Sequence, residues 1–445
     1  MKKLLLLLLI LPCLAVAQDI AKNAYEYLTA MTKQQLFSGT VLIAKGGTVV
    51  FEKAYGYADD ETKRLNTLET EFRIGSVSKQ FTAAIILRLA EQGKLSVSDR
   101  VSKFIPDYPN GDKITIHHLL SHQSGIPNFT ASPEFGKWQG EQKGEIKLIT
   151  IISRFKDLPL RFSSGQQFEY SNSNYSLLSY VAEIVSEQKF ADLLQASILR
   201  KSNMSRSGLD TDNRSSKDKA LGYMTFNDGK PVPAAYNNMS IPSGAGAMYS
   251  TVSDLYKWDR ALKTELLLSA KSKEKAFTPN KDNYGYGWVI STKFGHKEYT
   301  HGGAIDGFLS SISRYPDDDA CIIVLSNNMQ TPVSDIANTL SAIAFGEKFT
   351  LPVERKTVVV PQAILDQYAG EYELNPQFII KVTTTDGKLL AQATNQPVFE
   401  LFPSSDKDFF LKVVPADVTF NKDANGKVFE MELHQNGTAK LKKIK

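Results

Sequence analysis

Residues 71–90 of the chain read EFRIGSVSKQFTAAIILRLA. Apolar residues recur in it at helical spacing, which predicts a helix that starts at Ser76 and ends near Gly93. Lys79 follows Ser76 by three residues, so the two side chains lie on one face, one turn apart. The pair is either a nucleophile with its activating amine or a helix-capping serine beside a solvated lysine.

The spacing of this pair does not decide between the two readings. Unpaired N–H groups in a first helical turn create positive potential, which with burial lowers the pKa of a lysine and lets it accept a proton. The same Ser-x-x-Lys pattern nevertheless recurs elsewhere in the chain, at Ser153, Ser186, Ser216, Ser272 and Ser404. The surrounding sequence has to decide.

Apolar strands lie both before and after this helix. Residues 37–58 (FSGTVLIAKGGTVVFEKAYGYA) predict a hairpin that turns at Gly46-Gly47. Residues 308–315 and 320–326 predict two late strands separated by a Pro-Asp-Asp-Asp turn, and residues 175–186 predict a second amphipathic helix. We therefore expect an α/β domain whose two ends share one sheet, over residues 25–350.

From residue 351 onwards the sequence pattern changes. A linker with Pro and Val residues over 351–361 leads to short β-like runs, which predict an all-β domain over 362–445. The runs are broken by the turn signals Asp386-Gly387, Asn425-Gly426 and Asn436-Gly437. This domain shows no obvious catalytic constellation.

The N-terminus has the pattern of a secretory signal peptide. Two lysines, a leucine-rich run and Ala15-Val16-Ala17 predict a leader over residues 1–17 that is cut after Ala17, which gives a secreted or periplasmic protein. The run is shorter than the ~20 residues of a membrane span. Cys13 raises the alternative of a lipid anchor, but Pro12 stands where a small residue is wanted.

Composition narrows the chemistry and the partners. The 445 residues carry 52 basic and 48 acidic side chains, and a net charge of +4 does not favour a nucleic-acid partner. Outside the leader the single cysteine is Cys321, in the apolar run CIIVL, which predicts an inert core thiol. The six histidines form no metal-binding pattern. We expect neither a metal nor another cofactor.

Two further motifs could carry chemistry. FEYSNSNY (168–175) holds Tyr170, a possible proton shuttle, and Asn172, which could orient an amide or a lysine. Alternatively, Tyr170 is a loop tyrosine that packs against a helix start.

The other motif, THGGAIDG (300–307), places His301 beside Gly302 and Gly303 at a strand start. Paired glycines mark close approach of backbone to something, often a ligand, and the histidine could hydrogen-bond a substrate. A glycine-rich turn with an incidental histidine is the alternative.

Taken in order, Ser-x-x-Lys, Tyr-x-Asn and His-x-Gly resemble the serine β-lactamase and penicillin-binding-protein superfamily, in its class C-like branch of β-lactamase-related serine hydrolases. That branch includes D-alanyl-D-alanine carboxypeptidases, D-aminopeptidases and carboxylesterases. Further matching stretches are LLSHQSGIP (119–127), PSGAGAMYST (242–251) and YGYGW (284–288). The resemblance implies an antiparallel sheet flanked by helices, a helical subdomain and a small barrel-like β-domain behind them.

The resemblance also implies roles for individual residues. Ser76 corresponds to the acylated nucleophile and Lys79 to its amine partner, and either Lys79 or Tyr170 takes the first proton. The other implied positions are the proton shuttle Tyr170, the substrate- and lysine-contacting Asn172, His301 in place of the usual lysine, the oxyanion-hole N–H groups of Ser76 and Ala304, and the pocket backbone at Gly302 and Gly303.

The implied function is a secreted serine hydrolase that works through an acyl-enzyme. Its substrates would be D-Ala-D-Ala-type peptidoglycan peptides, small carboxylic esters or β-lactams. With a reference pKa of ~6.5, His301 is mostly neutral at pH 7, which favours esters or peptides. No second carboxylate is clearly placed to activate a deacylating water, so Tyr170 would have to help.

Two alternatives give the C-terminal domain the main role. In one, the protein is receptor-like, binds cell-wall peptides, barely turns them over and uses this domain as its binding module. In the other, the hydrolase is active and the domain targets it to a partner such as peptidoglycan. The sequence does not indicate an oligomeric state.

Overall fold

The early apolar stretch folds into the hairpin that the sequence predicts. Strands β1 (Gly39–Lys45) and β2 (Thr48–Tyr55) are joined by Gly46 and Gly47, whose φ angles are 59° and 76°. Positive φ values at both central positions are typical of tight hairpin turns, and glycine adopts them without a steric penalty.

The structure, a computed structural model, describes residues 2–210, 216–227, 230–352, 356–394, 398–411, 416–435 and 437–445. The chain divides into two units, Met1–Leu351 and Pro352–Lys445. Further strands described in the first unit are β3 (Tyr57–Asp59), β4 (Arg64–Leu65), β5 (Phe72–Arg73), β6 (Gly208–Leu209), β7 (Tyr223–Asn227), β8 (Lys230–Pro233), β9 (Met248–Ser250), β10 (Val289–Lys293), β11 (His296–Ile305), β12 (Phe308–Tyr315) and β13 (Ala320–Ser326). Its described helices are α1 (Lys2–Lys33), α2 (Ser78–Glu91), α3 (Ile116–Leu120), α4 (Pro133–Glu141), α5 (Leu148–Ile152), α6 (Asn172–Ser186), α7 (Phe190–Leu194), α8 (Ser243–Gly246), α9 (Val252–Lys263), α10 (Ala270–Phe277) and α11 (Val333–Phe345).

One six-stranded antiparallel sheet joins the two ends of this unit, in the order β10-β11-β12-β13-β1-β2. Strand β1 pairs with β13 in the register Val41↔Val324, so the expectation of a shared sheet is confirmed. Alternate residues of β1 face two different cores, Leu42 one and Val41 the other. Cys321 on β13 is fully buried, and burial raises the pKa of its thiol, consistent with an inert core residue.

The apolar part of the stretch 71–90 forms α2, the central helix of the larger core. Helix α2 buries Phe81 and Ile85 completely and packs against α6. The ring of Phe81 stacks on Trp258 of α9 at a centroid distance of 4.4 Å. The second predicted helix is also present, but it begins at Asn172, three residues before the predicted start.

Helix α1 runs through the predicted leader and beyond it. The residues after Ala17 bury an apolar face formed by Ile20, Ala24 and Leu28 in the core on the other side of the sheet. Cleavage after Ala17 stays a prediction. In the part of the chain that the structure describes, every helix is too short or too polar to cross a membrane.

The second unit is a closed antiparallel barrel, as expected for a small all-β domain. A short helix, α12 (Gln362–Tyr368), precedes strands β14 (Gly370–Asn375), β15 (Phe378–Thr385), β16 (Lys388–Ala393), β17 (Val398–Pro403), β18 (Asp408–Phe410), β19 (Asp417–Lys422), β20 (Val428–His434) and β21 (Thr438–Lys443), and β14 pairs with β21. The turn signals Asp386-Gly387 and Asn425-Gly426 lie between consecutive strands, while Asn436 lies outside the described residues.

Candidate active site

Ser76 lies in a 3-10 turn, Gly75–Val77, that leads directly into α2. Gly75 has φ 49°, and a Cβ atom at this position would lie 2.8 Å from the backbone nitrogen of Ala304. Both the conformation and the contact require glycine. The turn therefore brings the backbone before Ser76 against that of Ala304.

Lys79 is fully buried one turn after Ser76. Its Nζ lies 3.0 Å from the Oγ of Ser76, 2.8 Å from the Oδ1 of Asn172 and 2.7 Å from the carbonyl oxygen of Ala245. Burial lowers the pKa of Lys79 well below its ordinary value, because the ammonium form loses its hydration. A neutral amine can donate to the two carbonyl-type oxygens and direct its lone pair at Ser76.

Tyr170 lies beside this pair. Its ring centroid is 4.9 Å from the Nζ of Lys79, and its buried hydroxyl interacts with the Ser76 side chain without forming a hydrogen bond of normal geometry. Burial raises the pKa of Tyr170, so the phenol stays protonated at neutral pH. Burial therefore acts on the two groups in opposite directions and favours a neutral lysine beside a neutral tyrosine.

The side chain of Asn172 is held at both ends. Asn172 is the first residue of α6, and its backbone N–H donates to the Oδ1 of Asn128 at 3.1 Å. Its Nδ2 donates to the Oγ1 of Thr130 at 3.0 Å, which turns its Oδ1 towards Lys79. Asn172 thus orients the lysine, and Asn128 and Thr130 orient Asn172.

His301, Gly302 and Gly303 of the third motif lie inside strand β11, and not at a strand start, while Asp306 and Gly307 at its end form the turn to β12. His301 is buried, and its Nδ1 lies 2.6 Å from the carbonyl oxygen of Gly302, so this nitrogen donates. Its Nε2 consequently accepts from the hydroxyl of Tyr284 at 3.0 Å. Burial is the largest cause that lowers the pKa of His301, to about 4. Both ring nitrogens of this neutral histidine are occupied within the protein.

The two glycines after His301 differ in their surroundings. A Cβ atom on Gly303 would lie 2.0 Å from the carbonyl oxygen of Ile74, so the close approach at this position is to the protein's own backbone. Gly302 is exposed, and the nearest atom to such a Cβ atom is 3.7 Å away. Gly303 brings β11 against the turn that carries Ser76.

A cavity of about 380 Å³ opens beside these residues and is lined by Ser76, Thr130, Asn172, Asn237, Ala304 and Asp306. Asp306 was not considered from the sequence. Its Oδ2 is buried and has no hydrogen-bond partner among the described residues, and burial raises the pKa of its carboxyl group while Arg73 opposes that shift. Among the described residues, no three histidine, cysteine or acidic side chains are grouped to hold a metal ion.

Sequence reasoning also missed the groups that hold the predicted residues in place. Ala245 lies in the matching stretch PSGAGAMYST and Tyr284 in YGYGW, but the sequence predicts no role for either residue. Asn128 and Thr130 lie within three residues after LLSHQSGIP, which also matches the family. Their proximity to this matching stretch is the signal that could have identified them.

Known proteins match both units of the chain. A family model described as "Beta-lactamase" matches residues 25–345, and one described as "Domain of unknown function (DUF3471)" matches residues 354–445. "Penicillin-binding protein 4*" of Bacillus subtilis (strain 168) is 30% identical over 428 residues, 91% of this chain and 94% of that protein. "Putative penicillin-binding protein PbpX" of the same strain is 33% identical over 327 residues, 71% and 79% of the respective chains. The crystal structure of a penicillin binding protein from Bacillus halodurans superposes with a TM-score of 0.65 at 30% identity, covering 71% of this chain and 98% of that one.

Proposed function

Because the chain belongs to the β-lactamase family of serine hydrolases, we propose that Ser76 attacks the carbonyl carbon of an amide or ester and forms an acyl-enzyme. One observation carries this proposal. The amine of Lys79, fully buried and with a lowered pKa, lies 3.0 Å from the Oγ of Ser76. An ordinary helix cap would leave such a lysine in water.

In the acylation step, neutral Lys79 takes the proton of Ser76 while the Ser76 Oγ forms a bond to the substrate carbonyl carbon. The raised pKa of Tyr170 makes it a poor first base, since its phenolate is scarce at neutral pH. As a protonated phenol it instead donates to the departing amine or alkoxide and recovers a proton from Lys79. Proton transfer then leaves both groups as they began.

The negative charge on the attacked carbonyl oxygen needs donors fixed in advance. We assign this role to the backbone N–H groups of Ser76 and Ala304, two residues that line the cavity. Gly75 and Gly303 support the assignment, because they allow β11 and the Ser76 turn to approach. Water releases the acyl group in the second half-reaction, with Tyr170 and Lys79 relaying the proton.

The substrates we propose are D-Ala-D-Ala-type peptidoglycan peptides, small carboxylic esters and β-lactams. His301 is neutral and hydrogen-bonded at both nitrogens, so it offers no cation to a substrate carboxylate. This favours esters and peptides over efficient β-lactam hydrolysis. A secreted or periplasmic location, predicted from residues 1–17, would give such an enzyme access to the cell wall.

Intact-protein mass spectrometry tests the proposal. The protein is mixed separately with a penicillin, a D-Ala-D-Ala peptide and p-nitrophenyl acetate, and Ser76→Ala is the control. We expect an adduct of the acyl mass on the wild type and none on the variant. No adduct and no hydrolysis with any probe would contradict a hydrolase, and an adduct on the variant would contradict the assigned nucleophile. Adducts that never turn over would favour the receptor-like alternative.

A further inference from the structure

His122 lies directly behind Tyr170 and holds the chain on both sides of it. The carbonyl oxygen of His122 accepts from the backbone N–H of Glu169 at 3.0 Å. The Nδ1 of the His122 ring accepts from the backbone N–H of Ser171 at 3.2 Å. The residues immediately before and after Tyr170 are thus bound to a single residue.

The His122 side chain also contacts the tyrosine ring itself. The two ring centroids are 4.3 Å apart at an interplanar angle of 35°, and His122 is fully buried. Tyr284 and Tyr175 enclose the same imidazole at 4.8 and 5.2 Å. Any shift of His122 would therefore move the phenol of Tyr170 relative to Ser76.

The hydrogen bonds determine which ring nitrogen carries the proton. A backbone N–H can only donate, so the Nδ1 of His122 must be an acceptor, and the ring proton is on Nε2. Burial lowers the pKa of His122 well below its ordinary value and keeps the ring neutral. A protonated ring would lose the bond to Ser171 and the contact of the same nitrogen with the Nδ2 of Asn174 at 3.2 Å.

This placement has a cost that an ordinary core residue would avoid. The Nε2 atom of His122 is buried without a hydrogen-bond partner among the described residues, and φ is 57°, in the left-handed region. An apolar side chain would fill the space without an unpaired N–H group, and asparagine or glycine would suit the backbone better. None of these residues provides both the hydrogen-bond acceptor for Ser171 and the ring that contacts Tyr170.

We propose that His122 is a positioning residue that fixes the Tyr170 phenol beside Ser76 for acylation. This inference rests on the proposed function, because Tyr170 matters only if Ser76 is acylated. It adds a residue from the LLSHQSGIP stretch, which the mechanism above does not use. His122 acts through Tyr170 and does not itself touch the substrate.

Two variants separate the acceptor from the backbone conformation. Both asparagine and glycine tolerate positive φ, but only His122→Asn keeps an acceptor near the position of Nδ1. Ser121→Ala is the matched control, since it removes two neighbouring hydrogen bonds, the one to the carbonyl oxygen of His117 and the buried one from the Nε2 of Gln123, without touching Tyr170. Acylation and turnover of p-nitrophenyl acetate are measured for each variant, together with thermal unfolding.

We expect His122→Gly to lower kcat about 100-fold, as for a catalytic group displaced by about 1 Å, with KM within about threefold. His122→Asn should stay within about tenfold of the wild-type kcat, and Ser121→Ala within about threefold. If His122→Gly does not fold, it is replaced by His122→Leu, whose side chain fills the space left by the imidazole but offers no acceptor.

The inference is overturned if the variant without an acceptor, His122→Gly or His122→Leu, keeps kcat within about threefold of the wild type. It is equally overturned if kcat falls by the same factor in that variant and in His122→Asn. It is also overturned if the loss appears in KM alone. Wild-type protein that is never acylated at Ser76 would instead remove the proposed function, and this inference with it. The two failures are therefore distinguishable.

Discussion

The chain buries polar side chains in two different ways in its two units. In the barrel, Tyr368 and Tyr372 donate their hydroxyls to backbone carbonyl oxygens at 2.8 Å, beside apolar rings such as Phe420. Within the described part of the barrel, no buried side-chain nitrogen or oxygen lacks a partner. Near the candidate active site, in contrast, the hydroxyl of Tyr170 and the Nε2 of His122 are both buried without a hydrogen bond of normal geometry to a described residue.

The difference separates the two units as a whole, since the Oγ1 of Thr40 on β1 is also buried without a partner among the described residues. Each buried polar group without a partner costs about 1–3 kcal/mol, so a core selected only for stability avoids them. The barrel follows that rule. The cluster around Lys79 breaks it, and burial shifts the pKa values of Lys79 and Tyr170 in opposite directions, the pattern expected of a reactive site.

The largest effect should come from removing the amine. Lys79→Met keeps most of the buried volume but leaves Ser76 without a base, so kcat/KM for p-nitrophenyl acetate should fall by about 10³–10⁴. Steady-state kinetics measure this, and Lys94→Met, at an exposed lysine, is the matched control. A loss below about tenfold would mean that Lys79 is structural.

Removing the phenol should have the next largest effect. Tyr170→Phe keeps the ring against His122 but deletes the hydroxyl beside Ser76, and kcat should fall about 100-fold. Tyr180→Phe, on the same helix as Asn172, should be unaffected. Single-turnover acylation distinguishes the two variants, and equal rates would exclude a role for the Tyr170 hydroxyl.

A new charge beside the amine should shift the pH profile. Asn172→Asp places a carboxylate where the Oδ1 of Asn172 lies 2.8 Å from the Nζ of Lys79. An opposite charge favours the ammonium form and raises the lysine pKa, so the acid limb of kcat/KM should move about 1–3 pH units to the alkaline side. Activity should be low at pH 7 and recover as the pH rises; a profile that keeps its midpoint would contradict the prediction.

The smallest effect on activity is expected from the barrel. Phe420 is buried and stacks on Tyr368 at 4.3 Å, so Phe420→Ala should cost about 3–5 kcal/mol of unfolding free energy. Hydrolysis of p-nitrophenyl acetate should stay within about twofold of the wild type. Urea unfolding and the ester assay on the same samples test both statements, and a parallel loss of activity would give the barrel a part in the reaction.

Much of the fold could be predicted because it is coded locally. The hairpin glycines at positions 46 and 47, the late strands and the apolar spacing of α2 each depend on neighbouring residues. The strand that holds His301 was missed, because its paired glycines look like a turn. Its strand conformation comes from pairing with β10 and β12, which a local pattern does not contain.

The residues of the site could be predicted from the sequence more completely than their hydrogen bonds and protonation states. Nothing in PSGAG shows that the carbonyl oxygen of Ala245 will accept from Lys79, because tertiary packing sets its direction. Likewise, the sequence cannot show that Tyr284 occupies the Nε2 of His301. Residue types indicate which groups can react, whereas burial decides in which protonation state they are held.

The pH dependence of Ser76 acylation shows whether burial keeps Lys79 neutral beside its serine. The burst of p-nitrophenol from p-nitrophenyl acetate is followed from pH 5 to pH 11, with Ser76→Ala as the blank. We expect the acylation rate to reach its plateau at a pH far below 10.5, the ordinary pKa of a lysine. A rate that keeps rising tenfold per pH unit through pH 10 would contradict it.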